Sequence, residues 1–179
     1  MRLLHFLFVV ASSLLAASAA QARDAAELAC PIAGLSADDQ AAFTAAVMAG
    51  APENDPRLTP FWRGLFACRE QYAWSEEVTT TARRYAVAVA GVTEIRRDAE
   101  ARGIDVQPFE QAILVDEALL AAGADRYPQA EIEALLGRLT TRINAIAEVN
   151  PRADVVRIVG DFIAFRAIAE TMRRRFIAT

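Results

Sequence analysis

The chain has 179 residues, of which 54% are apolar, and it carries 19 basic and 23 acidic side chains. This length suits one compact domain with a sizeable core and is too short for two ordinary domains. All 19 basic residues are arginine, and the one histidine is His5. The absence of lysine excludes sites that need it, such as P-loops and Schiff-base lysines. Apart from His5, the chain also has no histidine for a catalytic triad or for ligating zinc or haem iron. We expect no cofactor and no metal.

Residues 1–22 have the pattern of a secretory signal peptide. Arg2 and His5 form a short positive start, an apolar stretch follows, and Ala20-Gln21-Ala22 matches the A-x-A cleavage signature. We predict cleavage after Ala22, which leaves residues 23–179 as a single helical domain. The alternative is retention of the segment as a membrane anchor, for which the apolar run is short.

The charge balance bears on location and partners. Loss of one of the 19 arginines with the signal peptide takes the formal net charge from −4 to −5, which argues against bulk attraction to nucleic acid. We interpret the cluster Arg173-Arg174-Arg175 as complementing the dipole at a helix end, with Glu170 as a neighbouring partner. Exclusive use of arginine together with 39 alanines is typical of a GC-rich bacterial genome. We therefore predict a periplasmic or secreted bacterial protein with no nucleic-acid partner and no transmembrane segment after cleavage.

Cys30 and Cys68 are the only cysteines in the chain. An even number of cysteines in an exported protein predicts a disulfide. A redox or metal pair is the alternative, but the chain has no C-x-x-C spacing and no neighbouring imidazole ligands. We therefore predict a structural bridge that joins an irregular segment, 23–35, to the helix that carries Cys68.

Capping residues and apolar spacing predict six helices and no strand. The predicted helices cover 37–49, 60–72, 76–102, 108–122, 128–149 and 151–176. Predicted N-caps are Ser36, Thr59 and Ser75, and predicted helix ends are Gly50 and Gly103. The predicted fold class is therefore all-α.

The last four helices are long and joined by short connections, which favours an up-and-down antiparallel bundle. The helix over 151–176 is apolar over a wide arc, as is typical of a helix in the middle of a bundle. We expect the two shorter N-terminal helices to cap one end of this bundle, where the disulfide would hold them.

Two groups of residues are candidates for binding. The aromatic residues around Cys68 could form a partner surface or fill the end of the bundle, and exposure of both tryptophans would favour the partner surface. These residues are Phe61, Trp62, Phe66, Tyr72 and Trp74. The other group, Arg157, Asp161 and Arg166, lies among apolar residues of the last helix, where an inward pair of arginines would suit a carboxylate or phosphate. The alternative is an ion pair between Arg157 and Asp161 on the solvent side.

Three functions from different classes fit these patterns. The first is a non-catalytic helical protein of the bacterial envelope that binds another envelope protein or itself, and it requires an exposed apolar patch. The second is a carrier of a small anionic molecule, and it requires a cavity with an arginine at its wall. The third is an all-α enzyme that uses arginine and carboxylates, such as a mutase or a cell-wall lytic enzyme. Because no catalytic set is recognisable, we assign no catalytic residue and favour the first.

Overall fold

The computed structural model describes residues 23–114, 141 and 153–179. Within these ranges every regular element is a helix, so the described part of the chain is all-α, as predicted. The predicted signal peptide, the predicted helix over 128–149 except Thr141, and the end of the helix predicted over 108–122 lie outside the described residues. None of the helices in the described ranges combines the length and the apolarity needed to cross a membrane.

Six α-helices and two short 3₁₀ helices make up the described part. They are the 3₁₀ helix Ala25–Ala29, α1 (Cys30–Ala33), α2 (Ala37–Met48), the 3₁₀ helix Pro56–Leu58, α3 (Thr59–Gln71), α4 (Glu76–Ala101), α5 (Gln107–Leu114) and α6 (Ala153–Ala178). The prediction of an irregular segment over 23–35 is wrong, because the first 3₁₀ helix and α1 occupy it. The Asp24 carboxylate accepts a hydrogen bond of 2.8 Å from the backbone N–H of Ala26 and so caps the first of these two helices.

Local capping explains where α2 and α4 begin. Ser36 and Ser75 are N-caps as predicted, and their hydroxyls accept hydrogen bonds from the backbone N–H groups of Asp39 and Val78. The predicted N-cap at Thr59 is wrong. The helix α3 already includes that residue, and the preceding Leu58 makes no side-chain cap. The continuous run from the 3₁₀ helix Pro56–Leu58 into α3 makes a new cap unnecessary.

The end of α3 holds a non-glycine residue in the left-handed region. Ala73 has a φ of 50°, and the next residue, Trp74, donates its backbone N–H to the Arg69 carbonyl at 2.9 Å. Helices usually place glycine at this position, because a Cβ in the left-handed conformation costs about 1–2 kcal/mol. We expect Ala73→Gly to raise the free energy of unfolding by about 0.5–1 kcal/mol, measured by urea denaturation.

A matched substitution within the same helix separates this effect from a general effect of glycine. Ala67 is an exposed residue in the interior of α3. We expect Ala67→Gly to lower the free energy of unfolding by about 1 kcal/mol, since glycine is a poor helix former. Equal losses for the two variants would show that the backbone at Ala73 carries no relievable strain.

The helices α4 and α6 form an antiparallel pair at the centre of the described structure. Arg102 after the end of α4 lies 3.8 Å from Asp154 at the start of α6, and Arg175 near the end of α6 lies 2.9 Å from Glu77 at the start of α4. Midway along the pair, a Cβ at Gly91 would come within 2.4 Å of the Phe165 ring. The missing side chain at Gly91 therefore permits the close approach of the two helices.

The buried side chains fall into two clusters along this pair. One joins the second half of α4, α5 and the first half of α6, with Phe162 and Ile163 among its most buried members. The other joins the N-terminal helices to the start of α4 and to Phe176 near the end of α6. The N-terminal helices thus pack at the end of the pair where α4 begins. The arrangement of four helices in an up-and-down bundle stays a prediction, because part of it falls on residues outside the described ranges.

The predicted disulfide between Cys30 and Cys68 is confirmed. It joins α1 to α3 across a sequence separation of 38 residues, with the two Cα atoms 6.1 Å apart. The two helices also approach closely beside it, since a Cβ at Gly64 would lie 2.9 Å from the Pro31 carbonyl oxygen. The bridge therefore holds α1 and the 3₁₀ helix before it against α3.

Candidate ligand-binding cleft

A partly open cleft of about 340 Å³ lies between α2, α3, α4, α6 and the loop that precedes the 3₁₀ helix Pro56–Leu58. Most of its lining is apolar, and its charged residues are one glutamate and two arginines. The lining residues are Phe43, Ala46, Val47, Ala51, Glu53, Leu58, Phe61, Trp62, Arg83, Arg84, Val87, Ala88, Phe165 and Ile168. Segments that are distant in sequence thus build one apolar site with charge at its rim.

Fully buried residues of α2 and α3 form the base of the cleft. Phe43 and Phe61 stack with ring centroids 4.4 Å apart and an interplanar angle of 24°, and Ala46 is also inaccessible to solvent. Tight packing of these aromatic rings gives the cleft a rigid floor.

The wall formed by α4 combines small apolar and cationic side chains. Arg83, Arg84, Val87 and Ala88 are spaced so that little more than one turn of the helix faces the cleft. Ala88 is buried, whereas Arg84 is exposed. Beside this turn, the partly buried Phe165 of α6, which packs against Gly91 of α4, contributes an aromatic ring to the same wall. The position of the arginines on the helix therefore places cationic groups at the mouth and apolar groups below them.

Three side chains at the rim are linked by direct interactions. The Arg83 guanidinium donates to the Glu53 carboxylate at 2.6 Å and lies 5.8 Å from the centre of the Trp62 ring. The Trp62 indole N–H in turn donates to the Glu53 backbone carbonyl at 3.0 Å. The Glu53 side chain is 78% exposed, so its ion pair with Arg83 competes directly with water. This arrangement orients the guanidinium firmly while its carboxylate partner is held weakly.

The loop that carries Glu53 is attached at both ends. On one side the Ala51 N–H donates to the Ala46 carbonyl at 3.0 Å. On the other, Asp55 accepts hydrogen bonds from the backbone and the guanidinium of Arg57, which together lower the pKa of Asp55 to about 2. The Glu53 backbone itself is held at the cleft by the Trp62 indole N–H, which donates to its carbonyl and does not involve the Glu53 carboxylate.

Arg84 differs from its neighbour Arg83 in its partners. No hydrogen bond or ion pair joins Arg84 to any residue within the described ranges. It borders the apolar cleft on one side and a polar depression on the other, where Glu76, Glu77 and Arg175 are found. An exposed cation at the edge of an apolar cleft is available to an anion that binds there.

The structure places the five predicted aromatic residues in different environments. Phe61 and Trp74 belong to the core, where Trp74 is 3% exposed and donates its indole N–H to Glu27 at 2.9 Å. Trp62 and Tyr72 are half-buried, and Phe66 is 51% exposed. The two tryptophans are therefore not both exposed, and of the five residues Trp62 and Phe61 line the cleft.

The predicted ligand-binding residues of the last helix do not lie together at a cavity in the described structure. Arg157 and Asp161 form an ion pair of 3.3 Å on the surface of α6, with side chains 60% and 49% exposed. Arg166 is more buried and donates to Glu110 of α5 at 2.9 Å. The observed geometry of Arg157 and Asp161 corresponds to the alternative interpretation, a solvent-side pair.

Arg166 is part of a chain of charges that runs along α6. Glu110 also accepts from Arg96 of α4 at 2.9 Å, and Arg166 lies 3.9 Å from Glu170. The Glu170 side chain is 4% exposed and accepts from Arg173 at 2.7 Å and from Arg174 at 3.1 Å. Hydrogen bonds from Arg173 are the main reason that the pKa of Glu170 is lowered. These arginines are therefore occupied within the fold.

Sequence reasoning missed the rim residues Glu53, Arg83 and Arg84. Nothing in the spacing of these residues marks them, because Glu53 lies 30 positions from Arg83 and they meet only through folding. The cleft lining has one carboxylate, so it offers no pair of carboxylates for acid–base catalysis. Within the ranges that the structure covers, no cluster of acidic, histidine or cysteine residues could hold a metal ion.

No protein-family model matches this chain, and comparisons with curated proteins and with solved structures found no match.

Proposed function

We propose that this protein is an exported, non-catalytic binding protein that holds a small apolar or amphipathic molecule in the cleft. The observation that carries the proposal is the apolar cleft of about 340 Å³ with Arg83 and Arg84 at its wall. Concave sites of roughly 300–1,000 Å³, mostly apolar and with few polar groups, are typical of small-molecule binding. The volume is about twice that of a cavity of about 150 Å³ that takes up benzene, which leaves room for a two-ring or medium-chain molecule.

The composition of the site supports binding rather than catalysis. Its charged groups are Glu53, Arg83 and Arg84, and no nucleophile with an adjacent base lines it. A disulfide supports export, since such bonds persist in oxidising compartments. Protein interaction, the first of our hypotheses, stays a prediction, with Phe66 as the most exposed of the aromatic residues. We favour small-molecule binding over protein interaction, because Phe61 and Trp74 lie in the core and are not available as a partner surface.

A neutral fluorescent probe tests whether the apolar cleft binds a small molecule, independently of any charge on the ligand. N-phenylnaphthylamine is apolar and consists of a naphthyl and a phenyl group joined through nitrogen, so it matches the apolar lining of the cleft. We expect its fluorescence to rise on addition of the protein, with one saturable site. Ala51→Phe places a ring in the cleft mouth, and we expect it to raise the dissociation constant at least about tenfold.

The matched control is Ala45→Phe, which adds the same ring to the exposed face of α2. We expect this control to bind the probe like the wild type. The proposal is refuted if the folded wild-type protein gives no saturable signal. Equal weakening in both variants, with circular dichroism unchanged, would show that the probe binds elsewhere.

A further inference from the structure

We infer that the ligand of this cleft is an amphiphile with a single carboxylate, whose head group replaces Glu53 on Arg83 and is also bound by Arg84. This inference rests on the proposed function and specifies the class of molecule that the cleft takes. It follows from the partners, exposure and charges of the three rim residues, together with the apolar lining below them.

The pair formed by Glu53 and Arg83 shows which group the rim accepts. The Glu53 carboxylate sits 2.6 Å from the Arg83 guanidinium at the edge of the apolar cleft. A ligand carboxylate can make the same charge-assisted hydrogen bond, whereas a hydroxyl or an amine offers a weaker or a repulsive interaction. Because the Glu53 side chain is 78% exposed, moving it into water on ligand binding costs little.

The orientation of Arg83 does not depend on Glu53 alone. Its guanidinium lies over the Trp62 ring, an arrangement in which a cation is attracted by the π system. The Trp62 ring is itself held by its hydrogen bond to the backbone of the loop, which does not involve the Glu53 side chain. The cation is therefore in place before the ligand arrives.

The second cation makes the rim complementary to an anion. Arg84 lines the cleft and forms no hydrogen bond or ion pair within the described part of the chain. With Glu53 bound, the rim has a formal charge of +1, and without Glu53 on Arg83 two guanidinium groups face the entering group. Beside them Val87 and Phe165, which are partly exposed, offer apolar surface to the rest of the molecule. A head group with one negative charge and an apolar tail satisfies both parts.

Competition between two molecules of equal chain length tests the inference. Decanoate and decanol differ in the head group, and each is titrated against bound N-phenylnaphthylamine. We expect decanoate to displace the probe at a concentration about tenfold lower than decanol does. Arg84→Gln should remove most of this difference by weakening decanoate alone. Arg63→Gln, an exposed arginine of α3 outside the cleft, is the matched control and should leave the difference intact.

Replacing Glu53, whose carboxylate competes with the ligand for Arg83, gives a result that would not be expected if Glu53 served only to stabilise the fold. Glu53→Gln removes the internal anion, so we expect decanoate to bind about threefold more tightly and decanol to bind as before. Equal displacement by decanoate and decanol in the wild type, with the probe bound, overturns this inference and leaves the proposed function standing. If calorimetry detects no binding of decanoate and the probe does not bind either, both are overturned.

Discussion

Removal of the disulfide, by Cys30→Ala together with Cys68→Ala, is expected to lower the free energy of unfolding by about 4 kcal/mol. The bridge closes a loop across a sequence separation of 38 residues and so restricts the unfolded chain, which in the chain-entropy account yields a stabilisation of this size. Alanine is chosen because Cys68 is buried, where a serine hydroxyl would need a hydrogen-bond partner. Urea denaturation of the oxidised wild type and of the double variant measures the difference.

Reduction of the wild type supplies an independent comparison. Since it breaks the same bond without changing the side chains, we expect dithiothreitol to produce most of the same loss in unfolding free energy. The m value, which is the steepness with which the free energy of unfolding falls with urea concentration, should be larger in the protein without the bridge. The reason is that its unfolded state exposes more surface. A double variant within about 1 kcal/mol of the wild type would show that the packing of α1 on α3 suffices without the bond.

Loss of the carboxylate in Glu170→Gln is expected to lower the free energy of unfolding by about 2–3 kcal/mol at neutral pH. Glu170 is buried, and its oxygens accept from Arg173 and Arg174, so the amide would replace two charge-assisted hydrogen bonds with weaker ones at a buried position. The figure stays below that for a fully buried pair because both arginines are partly exposed to water. Thermal and urea unfolding at neutral pH measure the loss.

A surface pair on the same helix is the matched control for this substitution. Asp161→Asn removes the carboxylate that lies 3.3 Å from Arg157, in a pair whose two side chains are largely exposed. Exposed pairs of this spacing contribute about 0.3–0.5 kcal/mol, so we expect a change within about 0.5 kcal/mol. Similar losses from both variants would contradict a special role for the buried carboxylate.

The pH dependence of stability follows from the same group. Hydrogen bonds from Arg173 lower the pKa of Glu170 in the folded state below its ordinary value of 4.5. The folded protein therefore binds this proton less readily than the unfolded chain does, so the stabilisation is complete above the ordinary pKa. It is lost as the pH falls through the lowered pKa. We expect the free energy of unfolding of Glu170→Gln to fall less than that of the wild type when the pH is lowered from neutral to acid. If the free energy of unfolding depends on pH equally in the two proteins, this assignment is wrong.

These two expectations concern the scaffold, and the cleft depends on it in a specific way. One wall of the cleft comes from α4 and α6, whose antiparallel packing is accompanied by the ion pair between Arg175 and Glu77 and by the close approach of Gly91 to Phe165. The base of the cleft comes from α2 and α3, and the disulfide ties α3 to the start of the described chain. The cleft therefore lies between two parts of the fold, which the disulfide and the packing of α4 on α6 hold in place.

Several helix boundaries could be predicted because they depend on local chemistry. Ser36 and Ser75 satisfy backbone donors of their own first turns, and Gly50 and Gly103 adopt the positive φ that ends a helix. The disulfide could also be predicted, since the chain offers one possible pair. The helix α1 was missed because it is only four residues long and lies in a segment whose packing on α3 is not visible in any periodic pattern.

The amino-acid sequence by itself determined the all-α class of the described residues, the ends of the long helices and the pairing of the cysteines. Only the tertiary structure decided which charged residues lie at the cleft, because the pattern of a single helix does not show which other element packs against each of its faces. Arg157 and Asp161 pair with each other in solvent, whereas Arg83 meets a glutamate 30 residues away at the edge of an apolar cleft. A cleft exists only where separate elements fail to fill the space between them, and that depends on their relative placement, which no local rule specifies.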